Sequence, residues 1–338
     1  MYGLHVAGIF RREVTAVSLS ESGLTSSEVA TADRELRAFV SYWAYAALSD
    51  SGMLREVEGN LRRRLRRSSR NPDLLDAVIE TLIDARVLTQ YDDMLIFESP
   101  PEKPTITLGW LQRVLLAIKE EFSKLPEILR RGSASRPALI ALLALYDNPI
   151  ARLEASLSIH GFGLEKMSGT ILVPWSGMGI LAAELRKKTK LKVVTAAPAN
   201  LARIVRLVLR TMRIYEGASL SVVNASLEEA GLEALRSGEV GEGADAGLLA
   251  NALQWARDPR LVIRSTIAGL KSKAPLFILQ TIRSPRTHPA TIVGSVLGAS
   301  VPPTRDELEE MLSETGLSWR YVGATRDCVA IVATMGGM

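Results

Sequence analysis

Residues 170–181 read TILVPWSGMGIL, an apolar run that breaks at a glycine-containing turn and resumes as helix-forming residues. An apolar run of this length suits a buried strand, and the residues after the turn suit a helix. Strand, glycine turn and helix in succession build a cradle for a nucleotide-like ligand, because the first backbone N–H groups of the helix face the turn. Gly177 and Gly179 provide the backbone freedom such a turn needs. Trp175 and Met178 stand where small or polar residues are expected, so the same stretch raises the question of whether it still holds a ligand.

Working outward, the pattern repeats. Strands are expected at Ile171–Val173, Lys192–Thr195, Leu220–Val223, Ala246–Ala250 and Leu276–Gln280. Helices are expected at Gly179–Lys187, Asn200–Arg213 and Asp258–Gly269. A helix over Thr304–Thr315 opens on a Thr304/Glu307 capping box, and Leu317–Tyr321 with Val329–Ala333 form a closing pair. Alternating strands and helices imply an α/β class, a mostly parallel, doubly wound Rossmann-like sheet covered on both faces. Ligands in such sheets lie at the carboxyl ends of the strands, where the strand order reverses.

The N-terminal part is different. Leu36, Phe39, Val40, Trp43, Ala47 and Leu48 recur at helical spacing, as do Leu74, Leu75, Val78, Ile79 and Leu82. Asn71 and Pro72 form a helix start. Val87–Gln90 and Met94–Phe97 then read as a hairpin turning at Tyr91-Asp92-Asp93. Helices followed by a hairpin predict an α-helical winged-helix domain. A proline-rich connector (Glu98–Thr107), a further helix and a second break at Arg130–Pro137 place the domain boundary, giving residues 1–132 and 133–338.

The chain has 338 residues, 47% of them apolar, and a formal charge of +4. That length exceeds what one core usually supports, and the charge alone does not establish a nucleic-acid partner. Cys328 is the only cysteine. An intrachain disulfide and a cysteine zinc site are therefore excluded, and no metal site is expected. The longest apolar run, Ala138–Tyr146, is about half the ~20 residues that span a bilayer. Arg11, Arg12 and Glu13 interrupt the N-terminus, so no signal peptide is read. A soluble cytoplasmic protein without a membrane partner is the expectation.

Two basic features stand out. Arg62, Arg63, Arg64, Arg66, Arg67 and Arg70 precede the helix that would enter a groove in a DNA-binding winged helix. That helix carries Asp73, Asp76, Glu80 and Asp84, which is wrong for a phosphate-lined groove, so a solvated face is favoured over nucleic acid. Dimerisation is the other use of a winged helix. Arg203, Arg206, Arg210 and Arg213 share one face of the helix after the second strand, opposite Leu201, Val205, Val208 and Met212. That stripe reads as a solvated face or as a contact for phosphate or an acidic partner.

From about Ala155 to Thr334 this order of elements resembles the class I S-adenosylmethionine-dependent methyltransferases. ILVPWSGMGILAAEL is similar to the glycine-rich first motif, VVTAAPANLARI to the second, LSVVNASLEEAG to the third, and ADAGLLANALQWARDPRLVIRSTIAGLKSKAPLFILQTI to the fourth and fifth. A winged helix ahead of such a domain resembles the small-molecule O-methyltransferases, in which it dimerises and helps cover the substrate. The resemblance implies S-adenosylmethionine as cofactor and a small-molecule oxygen or nitrogen acceptor. It implies cofactor contacts at Pro174, Trp175, Ser176, Gly177, Gly179, Ala196, Asn224, Ala225 and Asn251, and a homodimer through the N-terminal domain.

Departures accompany the match. Val173 replaces the acidic residue at the end of the first strand, and Trp175 replaces the first glycine. No carboxylate lies near Thr195–Ala197 to grip the ribose, and Asn224 stands for the adenine-contacting acid. Each charge-assisted hydrogen bond to the ribose is worth about 1.5–3 kcal/mol, so losing that grip weakens binding by about two orders of magnitude. Gln254 occupies the place of the catalytic histidine. His160 and His288 are the candidates to supply a base instead, each weighed against a hydrogen-bonded loop histidine. Three functions thus stay open: a methyltransferase, a binding or scaffold protein on a decayed methyltransferase fold with Trp175 filling the cavity, and either of these contacting nucleic acid through its arginines.

Overall fold

The computed structural model describes residues 4, 8–54, 69–92, 94–132 and 137–335. It divides into two compact units, each discontinuous in sequence. One comprises Thr25–Asn148 and Arg283–Val301. The other comprises Pro149–Ile282, Pro302–Met338 and the N-terminal stretch up to Leu24. The sequence reading drew one cut, after residue 132.

In the α/β unit, helix α1 (Arg12–Ser22) comes first. In the helical unit, α2 (Ser26–Asp50) starts on a capping box between Thr25 and Glu28. Next is α3 (Pro72–Asp84), where Asn71 Oδ1 accepts the Leu74 N–H at 3.2 Å and Pro72 sits in the first turn. Leu74, Leu75, Val78, Ile79 and Leu82 are all buried, as their spacing predicts. On α2 the buried positions are Leu36, Phe39, Val40, Ala44 and Leu48, while Trp43 and Ala47 are half-buried. Strands β1 (Leu88–Tyr91) and β2 (Met94–Phe97) pair antiparallel, with Leu88 opposite Phe97 and Tyr91 opposite Met94. The hairpin therefore turns one residue later than the sequence suggested, on Asp92 at φ 51°. Helices α4 (Gly109–Ile118), α5 (Leu125–Arg131) and α6 (Leu139–Tyr146) follow.

The α/β unit resumes with α7 (Pro149–Gly161) and then alternates. Its elements are β3 (Thr170–Val173), α8 (Ile180–Lys188), β4 (Lys192–Ala197), α9 (Ala199–Thr211), β5 (Leu220–Asn224), α10 (Ala230–Arg236), β6 (Ala246–Ala250), α11 (Pro259–Ala268) and β7 (Leu276–Thr281). After β7 the chain leaves this unit to form α12 (His288–Val296) in the helical unit. It returns for α13 (Arg305–Glu314), β8 (Leu317–Ala324) and β9 (Cys328–Met335). Thr304 and Glu307 form the expected capping box at the start of α13.

The seven-stranded sheet has the order β5-β4-β3-β6-β7-β9-β8. Strands β3 to β7 are parallel, and β9 is antiparallel to β7 and β8. From β3 the chain moves outward through β4 and β5, then crosses back to β6 and β7. The order thus reverses between β3 and β6, the place where sheets of this kind take ligands at the carboxyl ends of the strands.

Candidate functional site

The turn after β3 is built as its sequence suggests. Gly177, Met178 and Gly179 have φ of 53°, 56° and 96°, three successive left-handed residues. The Ser176 carbonyl accepts from the Gly179 and Leu181 N–H groups, both at 3.1 Å, and closes the turn onto α8. Gly179 is required twice over. A Cβ there would lie 3.3 Å from both Leu209 Cγ and Val205 Cγ1 on α9, and its φ is strained for any other residue. Val173, Pro174, Trp175 and Ser176 are all buried.

Trp175 does not stand alone. Its ring stacks on that of Trp255 at 5.5 Å between centroids and 24° between planes. Trp255 follows β6, so the stack joins the two loops that flank the switch point. The sequence singled out Trp175 and passed over its partner. The signal was present: an aromatic residue five positions past the end of a buried strand, in the segment that otherwise fits the motif best.

Polar residues cluster at the ends of β6 and β7. Asn251, at φ 45°, accepts the Thr281 N–H through Oδ1 at 2.7 Å and donates through Nδ2 to Glu154 Oε2 at 2.9 Å. Glu154 belongs to α7 and no motif pointed to it. Burial raises its carboxyl above the usual range, against the lowering effect of the Asn251 hydrogen bond. Gln254 is buried and accepts from Gln280 Nε2 at 2.8 Å. Gln254 Nε2 and Gln280 Oε1 are buried without a hydrogen-bond partner. Such groups are costly to bury unpaired and mark places where a water or ligand belongs.

At the ends of β4 and β5, Ala196 and Ala225 are buried and Asn224 is exposed. Ala196 and Ala225 join Leu172, Val194, Val223 and Ala230 in one apolar core cluster. The Asn224 side chain is engaged by Arg206, whose guanidinium also reaches Glu216 Oε2 at 2.8 Å and the Val222 carbonyl at 2.7 Å. Arg206 therefore leaves the stripe the sequence described; Arg203, Arg210 and Arg213 are exposed. The buried face of α9 is Ala202, Val205 and Leu209, with Leu201, Val208 and Met212 half-buried.

The two histidines have carboxylate neighbours. His160, near the end of α7, is 3.0 Å through Nε2 from Glu21 Oε2 on α1. The same carboxylate accepts from Ser156 and from Lys188 Nζ at 2.7 Å. Burial raises its pKa, but the Lys188, Ser156 and His160 hydrogen bonds outweigh this and hold it down to about 2. His288 is the first residue of α12 rather than a loop residue, and lies in the helical unit. Its Nδ1 is 3.4 Å from Glu80 Oε2, and burial pushes its pKa down to about 4. Asp73 on the same acidic helix pairs with Arg283. A cavity of about 380 Å³ in this unit is lined by Arg37, Ser41, Thr81, Asp84, Glu102 and Pro289.

Residues Arg62, Arg63, Arg64, Arg66 and Arg67 lie outside the described residues; Arg70 is exposed. Among the described residues no group of three or more His, Cys, Asp or Glu is placed to hold a metal ion, and no helix is long and apolar enough to cross a membrane.

Solved structures match the chain over nearly its whole length. The carbon methyltransferase domain of the citrinin polyketide synthase aligns with a TM-score of 0.61 at 11% identity, covering 98% of this chain and 96% of that one. The CurJ carbon methyltransferase aligns with a TM-score of 0.59 at 13% identity, covering 97% and 100%. An O-methyltransferase family 2 protein from Planctomyces limnophilus, solved in complex with apigenin, aligns with a TM-score of 0.53 at 14% identity, covering 89% and 94%. No protein-family model and no curated protein sequence matches. The chain therefore has the fold of the class I methyltransferases, the fold its sequence resembled.

Proposed function

We propose that the protein is an S-adenosylmethionine-dependent methyltransferase acting on an oxygen or nitrogen of a small molecule. The observation that carries this reading is the left-handed turn Gly177–Gly179 at the switch point of a sheet with the methyltransferase strand order. The neighbouring structures include carbon and oxygen methyltransferases, so they support methyl transfer more firmly than they support one acceptor atom. The cofactor supplies an electrophilic methyl group. The protein's part is to align the acceptor with it and to take up a proton where the acceptor carries one.

The residues fit the cofactor unequally. The turn, Asn251 and Glu154 suit the methionine end, with polar groups oriented at the ends of β3 and β6. Nothing comparable serves the nucleoside end, where Ala196 and Ala225 are core and Asn224 is taken by Arg206. The Trp175–Trp255 stack ties the loop after β3 to the loop after β6. His160, beside Glu21 at 3.0 Å, is the candidate base within the α/β unit, and His288 is the candidate in the helical unit. Gln254 can only orient an acceptor, because an amide does not titrate. A helical unit serving as winged-helix substrate cover and homodimer contact, and a cytoplasmic location, belong to the same reading.

A second reading, a decayed methyltransferase kept as a binding protein, is favoured by the same stack and by Arg206. Calorimetry with S-adenosylmethionine and S-adenosylhomocysteine separates the two. Heat of binding, followed by transfer of a labelled methyl group to an acceptor, supports the enzyme. Silence at millimolar ligand ends that reading and leaves the second.

A further inference from the structure

Three arginines of α9 and its end have no part in the methyltransferase reading. Arg203 and Arg210 lie on the solvent side of the helix and Arg213 lies just past it, all exposed. Among the described residues none of the three makes an ion pair or a side-chain hydrogen bond. Elsewhere in the same unit Lys188, Lys192, Arg206, Arg260 and Lys271 each have a carboxylate within 3.3 Å. From Ala199 to Ser219 the only carboxylate is Glu216, and Arg206 holds it. The outer side of α9 is thus a run of unpaired positive charge.

An apolar side chain sits among these charges. Leu207 follows Arg203 by four residues and precedes Arg210 by three, so the three share one stripe of the helix. Leu207 is 60% exposed, and Tyr215, two residues past Arg213, is 67% exposed. Arg213 is also kept at a backbone cost. Helices α1, α10 and α13 hand over to left-handed glycines, Gly23, Gly238 and Gly316, whereas α9 hands over to Arg213 at φ 60°, as α3 does to Arg86 at 58°. Nucleic acid would engage the arginines through phosphates and leave Leu207 unused. An acidic helix matches both features, because its own turn spacing sets carboxylates three and four residues to either side of an apolar side chain. We propose that α9 is a docking surface for an acidic amphipathic helix of another protein, with its carboxylates on Arg203 and Arg210 and an apolar side chain on Leu207. None of these residues belongs to the crevice, so the docking surface stands or falls apart from the methyltransferase reading.

The test is fluorescence anisotropy on the full chain at low salt. The probes are a labelled alanine-based helical peptide repeating Glu-x-x-Leu-x-x-x-Glu, the same peptide with lysine for each glutamate, and labelled duplex DNA. The acidic peptide should bind the wild-type protein, more weakly as salt is added. Combining Arg203→Glu with Arg210→Glu should weaken it by about tenfold or more, and Leu207→Ser by about threefold or more. The lysine peptide should bind the double variant more tightly than the wild type. All three positions are exposed, and unchanged thermal melting of the variants checks that they fold. Failure of the acidic peptide to bind the wild type overturns the proposal, and so does equal binding to the double variant. Duplex DNA bound more tightly than the acidic peptide, with Leu207→Ser without effect on either, gives the surface to nucleic acid and overturns it as well.

Discussion

The two sides of the crevice have diverged within one sheet. At the ends of β3 and β6, polar groups are oriented by hydrogen bonds: Asn251 by the backbone of Thr281 and Leu279, Glu154 by the Asn251 side chain. At the ends of β4 and β5, the equivalent positions have become apolar core or have been tied up internally by Arg206. Both sides keep the same backbone, because strand order and the Gly177–Gly179 turn are set by packing. Gly179 shows this most clearly. A Cβ there would crowd Leu209 and Val205 on α9 at 3.3 Å, and its φ of 96° favours glycine, whether or not a ligand is present. On the proposed reading the two ends of a ligand would be held unequally, by the ends of β3 and β6 rather than by those of β4 and β5.

The largest expected effect comes from the Trp175–Trp255 stack that joins the loops after β3 and β6. Trp175→Ala should cost about 3–5 kcal/mol of unfolding free energy, the range for emptying a buried aromatic site. Trp255→Ala should cost less, since Trp255 is half-buried. A double-mutant cycle by urea denaturation should show coupling of about 1 kcal/mol from the stack. Strict additivity would mean that the two loops are not clasped by their rings.

The next prediction rebuilds the poorer side. Arg206→Gln with Ala197→Asp frees Asn224 and puts a carboxylate at the end of β4, beside Asn224 in the strand register. Affinity for S-adenosylhomocysteine should rise by about tenfold or more, and stability without ligand should fall, because a carboxylate is then buried unpaired. Unchanged affinity would show that the nucleoside end does not lie over β4.

The smallest effects are two acid transitions, one in each unit. The His288 pKa is lowered from the usual 6.5 to about 4. The unfolded chain takes up that proton first, so stability is lost as pH falls from about 6.5 to about 4. Glu21, lowered from the usual 4.5 to about 2, stabilises fully above 4.5, and that contribution is lost as pH falls toward 2. Denaturation curves across this range should flatten in the upper window for His288→Asn and in the lower window for Glu21→Gln. A variant that alters the other window would refute the assignment of its group.

Much of the α/β unit was legible because its signals are local. Five buried apolar runs appeared as parallel strands, and the Thr304/Glu307 pair formed its cap. Helix α12 was not legible. HPATIVGSV is buried on every side, so it lacks a polar face, and its threonine, valines and glycine weaken helix propensity. Its departure to the other unit has no local signal at all. The same holds for α1, whose tie to α7 and α8 runs through Glu21, distant in sequence from Ser156 and Lys188. At the site, the missing acids at Val173 and near Ala197 could be read directly. Glu154 could not, since only the fold brings α7 to the end of β6.

The central claim is that the methionine end of the crevice survives and the nucleoside end does not. Side-by-side calorimetric titration of the wild-type protein with S-adenosylhomocysteine and with adenosine tests it most directly. The account predicts measurable binding of S-adenosylhomocysteine and at least about tenfold weaker binding of adenosine. Adenosine binding as tightly as S-adenosylhomocysteine, or no binding of either at millimolar concentration, would contradict it.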